Sequence, residues 1–357
     1  MANFSLDFKT DYTDKDIACL LSNKSFFKEP SLLDEAWLSC WLDIVKTKPH
    51  LFVFRKNQNV VGFCFIGFSK RSKLGINWQV AHLNQSGDQC IDQIWVEHNQ
   101  LFVDDLYLDE FLCELTDVLY RSFNVREISI SLASKPLKIE SLCQNAALHS
   151  KDITTSYVKN LPDDANPDTL LSLLSKNTRS KLRGSIKKIE KQYGKLVVSA
   201  ARNVEEQLQL FEQLGDHHKK KWGDTAEGSG FDNDSFVNFH SQLMHHKGKT
   251  SVLAVHSGDI LLGIAYFILN ADHVFFYCSG INDDSSIQRF KPGYLLHIYC
   301  MQYFADKHYL VYDFLGGESQ YKKSLSDNTY SMYSYQIFKK DKIYTLASTL
   351  KSVMPFD

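Results

Sequence analysis

The sequence predicts a mixed α/β (α+β) protein of two similar domains in tandem, each a mixed, mostly antiparallel sheet flanked by helices. Three observations carry this reading. The chain is 357 residues long, above the usual size of one domain, so two domains of somewhat under about 200 residues are expected. A β-hairpin pattern with a glycine early in its second strand occurs twice, about half a chain apart. Each copy then runs through further strand to a helix and a closing strand, a long-period repeat that implies two like units rather than a solenoid.

The elements follow in order. Residues 13 to 46 read as two helices, the second built on Leu33, Trp37, Leu38, Trp41, Leu42 and Val45 at helical spacing. From Leu51 to Gly67 two β-rich runs flank the polar Asn57-Gln-Asn59, which is a hairpin. Strands are expected around 74 to 83 and 90 to 96, a helix from about 105 to 121 and a strand from Val125 to Leu132. Ser251 to Phe267 repeats the hairpin: setting Gly62 over Gly263 pairs Phe54 with Val255, Val60 with Leu261, Val61 with Leu262 and Phe65 with Tyr266. The helix and closing strand are Asp105 to Arg121 with Glu127 to Ser131 in one copy, and Pro292 to Lys307 with Leu310 to Leu315 in the other. Lys159 to Asp168, polar and broken by two prolines, sets the boundary, giving domains 1–160 and 161–357. Beyond it Asp168 to Leu174 reads as a helix. Ser175 to Tyr193 reads as another, with Leu182, Ile186, Ile189 and Tyr193 on one face and a strongly basic opposite face.

Composition excludes several classes. An apolar fraction of 44%, aromatic 13% and charged 23% describe an ordinary soluble globular protein, with no run of about 18 apolar residues to span a bilayer. The N-terminus lacks the basic region and apolar core of a secretory signal, so a cytoplasmic location is expected. Eight cysteines stand without a Cys-x-x-Cys pair, most in apolar runs, and read as reduced core thiols. The histidines at 217, 218, 240, 245 and 246 lack a His-x-x-x-His pair with a carboxylate, so no metal is expected. A net charge of −2 argues against a dedicated nucleic-acid binder.

Four stretches could carry chemistry. His273 to Ser279 reads as a strand, Gln288-Arg-Phe-Lys-Pro-Gly293 as a turn and Tyr294 to Asp306 as a helix, with Pro292 at the favoured first position. Tyr309 to Leu315 reads as a buried strand ended by Gly316 and Gly317, and Glu318 to Leu325 as a short helix that brings a carboxylate, a phenol and an ammonium to one strand end. A helix from Val204 ends in His217-His-Lys-Lys-Lys-Trp222. In the first half, Ile91 to Phe102 alternates polar with large apolar residues, as on a strand with one face turned to a cleft. Asp92, Trp95, Glu97, His98 and Asn99 either bind an acceptor there or belong to an ordinary half-buried strand.

The Asp313-Phe-Leu strand, its glycine, Glu318, and the Tyr321-Lys322 pair resemble the C-terminal signature of the CelD-like (cellulose biosynthesis protein type) branch of the GNAT superfamily of N-acyltransferases, related to FemAB-like double-GNAT proteins. Lys176, Arg179, Leu182 and Arg183 are similar to that branch's Lys-x-x-Arg-x-x-Leu-Arg helix. His218, Lys221 and Trp222 resemble its His-x-x-Arg-Trp helix end, with lysine, a point charge, in place of the forked arginine. Gln288 and Gly293 match the ends of the Gln/Arg-x-x-Gly-x-Gly/Ala pyrophosphate turn, with Lys291 in place of its first glycine.

The resemblance implies tandem GNAT-like domains, the first a degenerate copy on the acceptor side and the second an acyltransferase. Its donor would be acetyl-CoA or another acyl-CoA. Its acceptor would be a small-molecule primary amine, preferably an amino sugar or nucleotide-linked amino sugar of surface polysaccharide synthesis. It places Tyr277, Ser279, Gln288, Arg289, Lys291, Pro292, Gly293 and Tyr294 on the donor, and Lys221, Trp222 and Lys322 near the acceptor. Tyr321 would protonate the departing thiolate; the base would come from Glu318, Asp313 and His218, with Glu318 favoured. Two other readings stand. A FemAB-like transfer from aminoacyl-tRNA is favoured by the basic helix and disfavoured by the mild net acidity, and a non-catalytic GNAT-fold binding protein is suggested by Lys221 and Lys291. A homodimer is left open.

Overall fold

The computed structural model describes residues 4–73, 75–139, 144–163, 165–225, 228–341 and 344. Contacts divide the chain into two compact units. The first holds Met1–Glu29, Leu33–Thr154 and Ser331–Asp357, and the second holds Pro30–Leu32 and Thr155–Tyr330.

The first unit opens with β1 (Phe4–Lys9) and α1 (Asp14–Leu21). Thr13 and Asp16 close a reciprocal capping box on α1, satisfying donors the helix cannot satisfy itself. Asp34 caps α2 (Glu35–Ile44) by accepting from the amides of Ala36 and Trp37. The hairpin is β2 (His50–Lys56) and β3 (Asn59–Lys73), turned by Asn57 and Gln58, both at positive φ, which suits the right-handed twist of the strands. Then come β4 (Ile76–Leu83), the one-turn α3 (Gln89–Asp92), the short β5 (Phe102–Val103), α4 (Leu108–Ser122) and β6 (Val125–Ala133). The chain passes to the second unit within β7 (Ala146–Asn160).

The second unit continues with α5 (Pro167–Ser172), α6 (Lys176–Tyr193), β8 (Leu196–Ala200), α7 (Val204–Trp222) and α8 (Asp234–Met244). Its meander is β9 (Thr250–Ser257), β10 (Ile260–Asn270) and β11 (His273–Ile281). After α9 (Ser285–Gln288) and α10 (Pro292–Ala305) come β12 (Val311–Gly316) and α11 (Gln320–Leu325). The chain returns to the first unit within β13 (Asn328–Lys339).

The two units repeat one strand plan. In the first the order is β1-β2-β3-β4-β6-β13, antiparallel throughout except for the parallel β4–β6 pair. In the second it is β8-β9-β10-β11-β12-β7, and only β11–β12 is parallel. The likeness reaches single residues. A bulge skips Val61 between β2 and β3, and another skips Leu262 between β9 and β10, the positions that the hairpin repeat superimposes. The closing strand differs in origin: β13 follows the second unit in sequence, whereas β7 precedes it. Pairing with β6 therefore carries the residues from Ser331 into the first unit, where the sequence placed them in a domain 161–357.

Each unit has its own apolar core. In the first, α4 packs Phe111, Leu115 and Leu119 on Phe52, Phe54, Ile128 and Ile337; in the second, the wholly apolar face of α10 packs Leu295, Ile298 and Phe304 on Phe267, Phe276 and Tyr312. Burying each such side chain contributes roughly 1.5–3 kcal/mol. The expected strand at 90 to 96 is absent. Asp88 caps α3 there, and the carboxylate of Asp92 takes the amides of Ser86 and Gly87, so the alternation belongs to a folded loop.

Alanine at either bulge glycine tests the shared plan. A Cβ on Gly62 would lie 2.8 Å from Val103 Cγ2, 2.9 Å from Val103 Cβ and 3.1 Å from the Phe102 carbonyl oxygen, and one on Gly263 would lie 2.9 Å from the Gly280 carbonyl oxygen. Both substitutions destabilise, each by about 1–3 kcal/mol. An unchanged urea midpoint in either variant would contradict the assignment.

Candidate active site

In the second unit β11 and β12 pair only at His273–Val311, Val274–Tyr312 and Phe275–Asp313. Beyond this point the strands no longer pair with each other, although β11 runs on to Ile281 and β12 to Gly316. The opening has a visible cause. Phe276 and Phe314, the first residues past the last pair, meet His297 of α10 at ring distances of 4.6 and 5.2 Å, and Tyr321 of α11 stacks on His297 at 4.9 Å and 11°. This aromatic wedge lies on the α10 side of the parting strands.

The end of β12 is held by its own side chains. Across from β7, a bulge adds a residue between Asp313 and Gly316, and Leu315 takes a left-handed φ of 60°, a conformation costing a branched residue about 1 kcal/mol or more. Asp313, buried, accepts from the Leu315 amide at 2.7 Å and from the Tyr330 hydroxyl at 2.9 Å. Lys322 donates to the carbonyl of Gly316 at 2.5 Å and of Leu315 at 3.4 Å. Asp313 and Lys322 thus clamp the bulge.

Burial sets the protonation states here. It pushes His297 down to about 3, with the charge of Lys322 adding to the effect, so the imidazole bonded to the Tyr312 hydroxyl at 2.8 Å is neutral at pH 7. It pushes Tyr321 up to about 12, opposed by a hydrogen bond with Ser319, so this phenol is protonated.

The turn before α10 is the second component. Lys291 is its N-cap, with φ 58° and ψ 56°, and no side chain caps the helix. That conformation is the one glycine adopts freely. Pro292 and Gly293 follow as the first helical residues. Arg289, Lys291 and Gln288 are exposed on the turn; Arg289 donates to Gln192 of α6 at 2.8 Å, and Gln288 donates to the Asn282 carbonyl. The first turn of α10 holds no acidic residue. An uncapped helix start flanked by cations suits phosphate.

The first unit lacks both features. Its parallel pair runs from Gln79–Val125 to His82–Ser129, and where β4 ends Asn99 takes the vacated edge of β6, receiving from Ser134 and donating to the Leu132 carbonyl. The start of α4 carries Asp109 and Glu110, behind Asp104 and Asp105, and Lys28, Lys135 and Lys138 are already paired with three of these carboxylates rather than left for an anion.

The remaining predicted residues fall as follows. Glu318 is exposed and paired with Lys323 at 2.7 Å rather than set against an apolar slot. His218, on the last turns of α7, bonds Ser229 at 2.9 Å and is pushed down to about 4, by burial first and then by Lys221. Lys221 lies over the exposed Trp222 ring at 4.9 Å. Tyr277 and Ser279 are half-buried on the part of β11 that pairs with β10 and no longer with β12, Tyr277 beside His240 at 4.5 Å, while Tyr294 on the first turn of α10 faces Lys291.

In the first unit Asn99 is fully buried in a network with Asn84 and the Leu83 carbonyl, and His98 is buried; both serve the loop, which corrects the expected acceptor strand. Trp95 is exposed at φ 45° and Glu97 half-buried. On α6, Arg179 and Arg183 brace α5 through the Ser172 carbonyl and Asp168, and Leu182 is core; Lys176 is exposed. Sequence reasoning passed over His297, whose one signal is a basic residue inside the apolar run Tyr294 to Tyr299. It also passed over Ser156, opposite Gly316, whose buried Oγ has no partner.

Two measurements test this description. His297 has a folded value near 3 against an ordinary 6.5, so its neutral state contributes stability that is complete above pH 6.5 and is lost as pH falls toward 3. Between pH 6.5 and 5 wild type should lose on the order of 1 kcal/mol per pH unit from this group, and His297→Gln, which keeps a partner for Tyr312, should show a shallower slope in denaturant titrations. An unchanged slope would exclude His297. Replacing Lys291 by glycine should raise stability by about 0.5–1 kcal/mol, net of the entropy glycine adds to the unfolded chain; a lower melting temperature would deny the left-handed turn.

Comparison with known proteins agrees with this geometry. Residues 176–323 match the family described as acetyltransferase (GNAT) domain. No curated protein matches the chain. Among solved structures, the chain is similar to FemX, with 12% identity, 95% of this chain and 99% of that one covered, and a TM-score of 0.58. It is similar to a conserved protein of unknown function from Bacteroides thetaiotaomicron VPI-5482, at 14% identity, 94% and 100% coverage and a TM-score of 0.53. It is also similar to the C-terminal domain of a putative lysylphosphatidylglycerol synthetase from Agrobacterium fabrum, at 9% identity, 96% coverage of each chain and a TM-score of 0.52. At these identities the likeness is one of fold. The matched stretch runs from α6 to α11, the part of the chain that holds the parted strands and the turn before α10.

Proposed function

We propose that the second unit is an acyl-CoA-dependent N-acyltransferase, with acetyl-CoA as the donor to test first and a primary amine on an amino sugar or nucleotide-linked amino sugar as acceptor. The observation that carries the reading is the parting of β11 from β12 beside a helix start that is uncapped and flanked by Arg289 and Lys291. A pantetheine arm fits such an opening as an extended segment between strand edges, with its pyrophosphate at the turn of Lys291, Pro292 and Gly293. The first unit, with its edge occupied by Asn99 and its helix start acidic, serves as the degenerate copy.

The balance of the reaction is simple. The amine nitrogen attacks the thioester carbonyl, the C–N bond forms, the C–S bond breaks, and the proton lost from nitrogen ends on sulfur. Tyr321, pushed up to about 12, holds its proton more tightly than a thiol of ordinary pKa near 8.5. Its role is therefore to donate a hydrogen bond to the leaving sulfur. Lys322 adds positive charge at the same strand end, where the carbonyl oxygen becomes negative. Among the three candidate bases, Asp313 is engaged in the bulge, Glu318 in an ion pair and His218 with Ser229. Pushed down to about 4, His218 is too weak a base to hold the amine proton, so the amine enters as the free base and its proton passes to the sulfur through solvent.

A second reading is kept by one observation. Lys187, Lys188, Lys191 and Lys195 are exposed on and just after α6, whose Gln192 contacts Arg289; a polyanionic donor such as aminoacyl-tRNA would use that face. Calorimetry with acetyl-CoA and single-turnover assays on an amine panel separate the two. The acyl-CoA reading expects saturable binding weakened severalfold in Lys291→Ala and a loss of about a hundredfold in rate for Tyr321→Phe. Absence of acetyl-CoA binding, together with transfer from a charged tRNA, would replace it.

A further inference from the structure

The first unit carries a second built surface, on the sheet face opposite α4. Ala81, Ile128 and Ile337 point into the α4 core. Strand alternation therefore turns Trp78 and His82 of β4, Glu127 and Ser129 of β6, and Gln336 and Phe338 of β13 to the other face. The register sets His82, Ser129 and Gln336 side by side across three adjacent strands, with the buried Val80 and Glu127 and then Phe338 in the next row, Phe338 stacked against Tyr344 at 5.9 Å. All three of the first row are half-buried. Strand spacing makes that row about 10 Å wide.

Both ends of the strip are held by buried carboxylates. At one end the loop from Gln85 to Gly87 crosses so closely that a Cβ on Gly67 would lie 2.2 Å from the Gln85 carbonyl, and one on Gly87 3.0 Å from the His82 ring. Asp92 fixes this loop by accepting from the Ser86 amide and the Gly87 amide, each at 2.8 Å, and from the Ser86 hydroxyl at 2.9 Å. At the other end Glu127, fully buried, accepts from the Trp78 indole at 2.8 Å and from Arg71, which fixes the half-exposed Trp78 ring.

We propose that this strip binds a pyranose ring, its hydroxyls on His82, Ser129 and Gln336 and one face against Trp78. The chemistry selects the ligand. Serine and glutamine each donate and accept, as a sugar hydroxyl does, and neutral His82, whose Nε2 is bonded to the Ser69 hydroxyl at 2.8 Å, adds its Nδ1. Burial, then the charge of Arg71, pushes His82 down to about 4, so the row is uncharged at pH 7. An anion would need a cation not already committed to a carboxylate, and Arg71 is paired with Glu127. An ammonium would need a carboxylate at the surface, and Glu127 is sealed beneath. An indole face beside such a row offers the apolar, polar-tipped contact that a sugar ring fills.

The inference deepens the acceptor half of the proposed function and rests on it only for the strip's role; binding itself is measured without any donor. The intact protein is titrated with N-acetylglucosamine and its β-1,4-linked dimer by saturation-transfer NMR and calorimetry. The expected result is saturable binding at millimolar concentration or below, weakened about tenfold or more by Ser129→Val with Gln336→Leu and by Trp78→Ala. The Ser129 and Gln336 variants should leave the melting temperature and acetyl-CoA binding unchanged; Trp78→Ala, which takes a donor from buried Glu127, should lower the melting temperature and leave acetyl-CoA binding unchanged. Gln336→Leu alone, at a half-buried site, serves if the double variant does not fold. No saturable binding of either sugar, or equal binding by wild type and Gln336→Leu, overturns the proposal. Sugar binding at the strip with no acyl transfer from any donor would defeat the transferase reading and leave the strip standing.

Discussion

The structure of the second unit depends on an aromatic wedge. Two parallel strands that share a sheet gain hydrogen bonds by staying paired, so their separation after Phe275 and Asp313 must be stabilised by something else. Packing among Phe276, Phe314, His297 and Tyr321 supplies it, and the ends of β12 lost to β11 are met by Asp313 and Lys322. The left-handed Leu315 shows that the strand end is strained and over-determined. Such strain concentrates where a fold holds open a working surface.

The first unit shows what the same plan becomes without that wedge. Its strand order, parallel pair and hairpin bulge repeat those of the second unit. Yet Asn99 fills the corresponding edge, and acidic residues surround the corresponding helix start. One scaffold therefore presents two chemistries, a cationic opening in one copy and a closed sheet with a neutral polar strip in the other. Function follows the residues placed on the fold rather than the fold itself.

The parts legible in the sequence are those where residue type and backbone demand agree. Gly62 and Gly263 mark bulges with no space for a side chain, so the hairpin repeat could be read directly. The hidden parts are those where an ordinary residue occupies a position glycine usually signals: Lys291 and Leu315 are both left-handed, so neither the turn before α10 nor the bulge could be recognised from glycines. Strands β1, β7, β8 and β13 alternate with exposed polar residues and lacked the apolar runs that revealed the other strands. Residues 90 to 96 misled in the opposite direction, because a loop stapled by Asp92 and Asn99 buries alternate side chains as a strand would. His297 was invisible because its role arises from contacts with three distant segments.

The most direct test of the central claim is a crystal structure of the protein soaked with coenzyme A. The account predicts density for the pantetheine arm between Tyr277–Ile281 and Phe314–Gly316, with the pyrophosphate against the amides from Lys291 to Gly293. Coenzyme A bound elsewhere, or a protein that acetylates an amine while these strand edges stay empty at saturating ligand, would contradict it.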